Sequence, residues 1–459
     1  MSVQVPLNIF SYSEKQILLQ NLTVVAQEKE SKSLSKKPNP YKKDTTLYGF
    51  EIITKNNIEY ILLPFFYCYN FLSNKLKIKF PNENKIYKKN KLFQFPFKLR
   101  PYQEDIKLEA LDILNRTHSL ILSLYTGSGK TFFSLYLSHK IGLITAISVN
   151  RIGLIEQWIK SIKQFCPGAK YQVIGSKTEI DKDVNFYIFN MTNISKRLIH
   201  EFDHVGLLIC DEVHTLCTPS NYKTLFYFQP KYLICLSATP YRTDKLSDII
   251  HLYFGIELIY RELYRPFNAY CCYTDFIPKV KDNSLGNLDW NSVLNSVCGE
   301  EILIDLVVEI ARFFITRNIL ILTKRVEMEG MVYFNKLREY NEKVDIYTGE
   351  KNYYDENCRL LISTCSKAGI GFDFPKLDML IIASDMEESF IQYLGRVFRK
   401  EETFPIIIDV VHCKFRPLYN HFNTRKDIYT KSGGEIKNIF REFPELWQFL
   451  NYYKPIRIL

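Results

Sequence analysis

The run Leu124-Tyr125-Thr126-Gly127-Ser128-Gly129-Lys130-Thr131 constrains this chain more than any other stretch. The apolar segment Ser119–Leu124 before it reads as a buried strand, and Phe132–Ile141 after it reads as a helix. A glycine-rich turn between a strand and a helix is a phosphate cradle. Gly127 and Gly129 let successive backbone N–H groups converge on an anion, with Thr126 and Ser128 completing the curl. The helix N-terminus adds the positive end of its dipole. Lys130 has the reach for the β- and γ-phosphates of ATP, and the Thr131 hydroxyl for a bound Mg²⁺. Leu124 replaces the first glycine of the general pattern, while Thr126 to Thr131 is intact.

From Ile106 to Tyr253 apolar strands alternate with amphipathic helices. The strands expected are Ser119–Leu124, Ile144–Val149, Phe186–Asn190, Leu207–Cys210 and Tyr232–Leu236. This rhythm implies a parallel sheet covered on both faces, which binds ligands at the carboxyl ends of its strands. The polar motifs fall at those ends: Lys130-Thr131, Asn150-Arg151, Asp211-Glu212-Val213-His214 and Ser237-Ala238-Thr239. Asp211 is placed to hold Mg²⁺, and Glu212 to orient and deprotonate an attacking water. His214 can hydrogen-bond toward the Ser237–Thr239 stretch and relay the state of the nucleotide. Upstream, Arg100-Pro101-Tyr102-Gln103 begins a helix, where the Gln103 amide offers a donor and an acceptor to an adenine edge.

Residues 256 to 299 break the rhythm with Pro266, Pro278 and the polar stretch Lys281–Asn287, and read as a connection between two lobes. From Glu301 the alternation resumes without a second phosphate cradle. This half offers Thr364, the loop Ala368–Asp373, and Gln392-Tyr-Leu-Gly-Arg396-Val-Phe-Arg399. Gln392, Arg396 and Arg399 recur at helical spacing and share one face. Two arginines so aligned can stabilise the charge that develops during phosphoryl transfer.

The first hundred residues hold 17 Lys/Arg against 7 Asp/Glu, so the whole formal net charge of +10 sits there. Such a block suits a polyanion, most simply nucleic acid, and over Lys32–Lys43 it equally suits a solvated lysine-rich surface. Residues 1–30 alternate weakly, Ser31–Asp44 reads as a linker, and Phe50–Leu63 and Lys75–Phe80 read as strands of a small, mostly β module. The eleven cysteines show no Cys-x-x-Cys pair. Cys210 and Cys235 read as buried small hydrophobes in a reducing compartment. Met1–Phe10 lacks a signal-peptide pattern, and the apolar stretch Tyr60–Leu72 is too short to cross a bilayer. A soluble intracellular protein is expected.

Taken in order, these motifs resemble those of helicase superfamily two, from about Leu99 to Asp409. Arg100–Gln103 is similar to the Q motif, Thr126–Thr131 to motif I, Val149–Arg151 to motif Ia, and Asp211–His214 to a DEAH/DExH motif II. Ser237–Thr239 resembles motif III, Thr364–Asp373 motif V, and Gln392–Arg399 motif VI. Gln157-Trp158, Leu236–Arg242, Ile319–Lys324 and Phe372–Pro375 look most like the poxvirus-type transcript-release helicases and related large-DNA-virus helicases. The resemblance implies an α/β fold of two tandem RecA-like domains. They span 99–263 and 301–459, joined by 264–300 and preceded by the basic module 1–98. It implies Mg-ATP hydrolysis with Gly371 and Asp373 among the nucleotide contacts, coupled to 3′-to-5′ movement on DNA in preference to RNA. It sets Asn150, Arg151, Thr323 and Thr364 beside nucleic-acid phosphates. It further implies transcription or replication proteins as partners, no membrane, and a viral factory or virion as the setting. The competing readings are a duplex translocase, an RNA-directed helicase without processive unwinding, and a bridging factor that binds ATP without hydrolysing it.

Overall fold

The computed structural model describes residues 2–26, 45–75, 85–125, 127–198, 200–213, 222–237, 247–284, 286–349, 351, 353–369, 374–386, 390–400 and 402–447. The chain divides near Arg261 into two compact units.

The N-terminal strands are β1 (Ser2–Pro6), β2 (Thr23–Ala26), β3 (Thr45–Tyr48), β4 (Glu51–Lys55) and β5 (Ile58–Pro64). They form an antiparallel sheet β1-β5-β4 and a separate β2-β3 pair. Asn56 and Asn57, both with positive φ, make the two-residue turn between β4 and β5. The region thus has the mostly β character expected of it, with a helix Tyr12–Asn21 capped by Ser11 and Glu14 and short helical segments at Leu7–Ile9, Phe65–Cys68 and Tyr69–Lys75.

The rest of the first unit is a seven-stranded parallel sheet: β6 (Ser119–Leu124), β7 (Thr145–Val149), β8 (Tyr171–Ile174), β9 (Phe186–Asn190), β10 (Leu207–Asp211), β11 (Tyr232–Leu236) and β12 (Leu258–Arg261). The order is β12-β6-β11-β10-β7-β9-β8. Both faces are covered, so the central strands are apolar without alternation. Cys210 and Cys235 are fully buried register partners inside it. The N-terminal module shares this core: Val3, Leu62 and Phe65 belong to the same buried cluster as Ile121, Leu208 and Tyr253.

The second unit repeats the plan with β13 (Phe267–Thr274), β14 (Ile319–Thr323), β15 (Val344–Tyr347), β16 (Leu360–Thr364), β17 (Met379–Ile382), β18 (Ile406–His412) and β19 (Gly434–Asn438), in the order β15-β16-β14-β17-β18-β13-β19. Here the expected connection 264–300 needs correction. Phe267–Thr274 is a strand between β18 and β19, and Trp290–Cys298 is a helix. Proline just before and after this strand imitates a loop in the sequence, although the strand itself is largely buried. A second correction concerns Arg399. Its helix is Phe390–Val397, so Arg399 lies two residues beyond the helix expected to carry it.

Candidate nucleotide and nucleic-acid site

In a parallel sheet all carboxyl ends lie along one edge, so β6, β7, β10 and β11 bring their following residues to the same rim. At the end of β6, Gly129 caps the helix Lys130–Ile141 with φ +80°. A Cβ there would stand 2.9 Å from Gln103 Nε2, so the turn needs glycine for its backbone and for the approach of that amide. Gln103 is 1% exposed, and its Oε1 accepts the N–H of Arg100 at 3.1 Å, which caps the start of the helix Pro101–Thr117. Lys130 Nζ donates to the Leu124 carbonyl at 2.7 Å and so holds its charge at the strand end. Ser128 is buried, Thr131 is half-buried, and Thr126 lies outside the described residues.

At the end of β10 two carboxyl groups follow one another. Asp211 Oδ2 accepts the indole N–H of Trp158 at 2.9 Å. Burial, then the neighbouring charge of Glu212, pushes the Asp211 carboxyl up to about 6, while Trp158 and Lys130 pull it down. Glu212 has φ +53°, a left-handed backbone rare for a side chain with a Cβ. The adjacent carboxyl groups of Asp211 and Glu212 are oxygen donors of the kind a divalent cation takes. Among the described residues no group of three His, Cys, Asp or Glu could hold a metal. At the end of β7 the Asn150 Oδ1 is buried without a hydrogen-bond partner, and exposed Arg151 precedes the helix Ile152–Phe165. Ser237 N–H donates to the Leu122 carbonyl at 3.2 Å, tying the end of β11 to β6. His214 and Thr239 lie outside the described residues.

In the second unit Thr323 and Thr364 are register partners at the ends of β14 and β16. Thr323 is fully buried with its Oγ1 unpartnered, and its carbonyl accepts Cys365 Sγ–H at 3.6 Å. Arg396 is buried in the helix Phe390–Val397, Gln392 is half-buried there, and burial lowers the Arg399 pKa. Gly371 and Asp373 lie outside the described residues.

The basic N-terminal block is partly committed to internal pairs. Lys85 faces Asp203 at 3.6 Å, Lys91 pairs with Asp183 at 2.5 Å, and Lys88 Nζ donates to the Lys182 carbonyl at 2.6 Å. Lys75 ends the helical segment Tyr69–Lys75 instead of opening the expected strand Lys75–Phe80, whose other residues lie, like the linker Ser31–Asp44, outside the described residues. Sequence reasoning missed the donor role of Trp158, although Gln157-Trp158 marks the helix that carries it.

Two parallel sheets with polar motifs at their carboxyl ends, the first carrying a glycine-rich strand-to-helix turn and a carboxylate pair, fit an ATP-hydrolysing nucleic-acid helicase. Residues 96–242 match the family model described as type III restriction enzyme, res subunit. A candidate helicase, 161L of Invertebrate iridescent virus 6, is 35% identical over 90% of this chain and 96% of its own length. The chain belongs to the superfamily-two helicases of the large DNA viruses. Transcript termination protein A18 of Yaba-like disease virus is 23% identical over 76% of this chain and 80% of its own length. Among solved structures, S. cerevisiae Dbp5 bound to RNA and ADP BeF3 covers 77% of this chain and 94% of its own, with TM-score 0.53 and 16% identity, a likeness of fold. Among the described residues no helix is long and apolar enough to cross a membrane.

Proposed function

We propose that this chain is a Mg-ATP-driven translocase that moves 3′ to 5′ on DNA and releases transcripts in a viral transcription apparatus. The observation that carries this reading is the likeness to a transcript termination protein along most of the chain. Bound Mg-ATP supplies the phosphoryl bond whose hydrolysis drives movement. Gly127, Gly129 and Lys130 hold the phosphates, with Arg100 and Gln103 at the adenine end. Thr131 and Asp211 hold the metal, and Glu212 accepts a proton from the attacking water. Arg396 and Arg399 stabilise charge on the transferred group. Asn150, Arg151, Thr323 and Thr364 grip backbone phosphates, contacts that carry little sequence information.

The test is ATP turnover measured in parallel with single-stranded DNA, duplex DNA and RNA, together with strand displacement on 3′- and 5′-tailed duplexes. Stimulation by single-stranded DNA and displacement from the 3′ tail are expected. Stimulation by RNA alone would make this an RNA-directed helicase, and stimulation by duplex DNA without displacement a duplex translocase.

A further inference from the structure

The helix Phe390–Val397 stops two residues before Arg399, which therefore sits in irregular backbone. The carbonyls past a helix end have no intrahelical partner. Here a single side chain takes them up. Arg265 Nη1 donates to the Phe398 carbonyl, and its Nη2 donates to the carbonyls of Lys400 and Thr403, each at 2.7 Å. The acceptors flank Arg399 on both sides, so the guanidinium of Arg265 spans the turn that carries it. A rigid fork of five donors suits such a fan of acceptors, and one ammonium group does not.

Arg265 is itself fixed. Its N–H donates to the Ser432 carbonyl at 3.0 Å. Two residues on, the ring of Phe267 packs on that of Phe398 at 4.9 Å between centroids. Arg317 Nη1 closes the far end of the same turn by donating to the Phe404 carbonyl at 2.9 Å. In the sequence Arg265 lies in the short stretch between β12 and β13, outside every motif described above.

We propose that Arg265 is a positioning residue for hydrolysis: by clamping the turn after the Phe390–Val397 helix it sets where Arg399 delivers its charge. This rests on the role of Arg399 in stabilising phosphoryl transfer. A group misplaced by about 1 Å costs roughly 100-fold in rate, so Arg265→Ala should lower kcat by about that factor. KM for ATP and nucleic-acid affinity should stay within about twofold of wild type, because neither depends on the arginine that acts in the transition state.

The experiment measures nucleic-acid-stimulated turnover of the full chain for Arg265→Ala, Arg265→Lys, Arg399→Ala and the Arg265→Ala/Arg399→Ala double variant, with melting temperatures alongside. The Arg265→Lys variant should fall between wild type and Arg265→Ala, and the double variant should be no slower than Arg399→Ala alone. A wild-type kcat in Arg265→Ala, or a double variant slowed by the product of the two single losses, would overturn the proposal. Should Arg265→Ala melt below the assay temperature, Arg265→Lys decides: lowered kcat at unchanged KM supports the clamp, and wild-type kcat overturns it. Wild-type turnover in Arg399→Ala overturns the role of Arg399 and the clamp with it. An essential Arg399 beside a dispensable Arg265 overturns the clamp alone.

Discussion

Trp158 Nε1 donates to Asp211 Oδ2 at 2.9 Å, joining the helix Ile152–Phe165 to the end of β10. Trp158 is 1% exposed, so its ring is fixed by packing and the carboxylate is fixed by the ring. The bond also lowers an Asp211 pKa that burial and Glu212 have raised. Trp158→Phe keeps an aromatic ring and removes the donor. Loss of such a supporting contact typically costs 10–100-fold in metal affinity. The Mg²⁺ concentration for half-maximal ATPase should therefore rise about tenfold. An unchanged Mg²⁺ titration would contradict a role for Asp211 in holding the metal.

Glu329 gives the second unit an unusual pH dependence. It is 1% exposed, accepts the Lys324 N–H at 3.0 Å and faces the Tyr333 hydroxyl at 3.5 Å. Burial pushes its carboxyl up to about 7, against 4.5 unburied. The unfolded chain releases this proton first. Stability therefore falls as pH rises between these two values and is level above them, by on the order of 3 kcal/mol in full. Glu329→Gln cannot ionise, so its stability curve should lose that slope. Parallel slopes in the two proteins would contradict the assignment.

Arg425 and Asp409 form a buried pair in the second unit. Arg425 Nε and Nη2 meet both carboxylate oxygens at 2.9 Å, Nη1 donates to the Met386 carbonyl at 2.6 Å, and the Tyr429 hydroxyl donates to Asp409 at 2.6 Å. Removing one partner strands the other charge away from water. Arg425→Ala should cost about 3–5 kcal/mol in denaturant unfolding. A loss below about 1 kcal/mol would mean that water reaches Asp409 in its place.

The parallel strands were legible because strands buried on both faces read as unbroken apolar runs, as in Leu207–Cys210 and Leu360–Ser363. The glycine-rich turn was legible because Gly127, Gly129 and Lys130 fall at a strand-to-helix junction. Strand β13 was not, because Pro266 and Pro278 lie on either side of it and its partners β18 and β19 lie more than a hundred residues on. Helical spacing placed Arg399 on a helix that ends at Val397, since spacing carries no stop signal. The donor role of Trp158 and the clamp by Arg265 depend on contacts between distant segments, which local pattern does not encode.

From charge alone, removing residues 1–98 is expected to weaken DNA binding and its salt dependence. The shared core changes that expectation. Val3, Leu62 and Phe65 share one buried cluster with Ile121, Leu208 and Tyr253, and Ser2 N–H donates to the Phe228 carbonyl at 2.8 Å. Residues 99–459 alone should lose cooperative unfolding of the first unit, seen as a broadened or absent melting transition. A sharp transition at the wild-type temperature would contradict this dependence.

Glu212, held at φ +53° beside Asp211, is where nucleotide binding and nucleotide turnover should separate. The most direct measurement is ATP turnover by Glu212→Gln with saturating single-stranded DNA, beside its ATP affinity. Affinity should match wild type while turnover falls by roughly 10²–10⁴-fold, the usual worth of a general base. Turnover at the wild-type rate would contradict hydrolysis at this carboxylate pair.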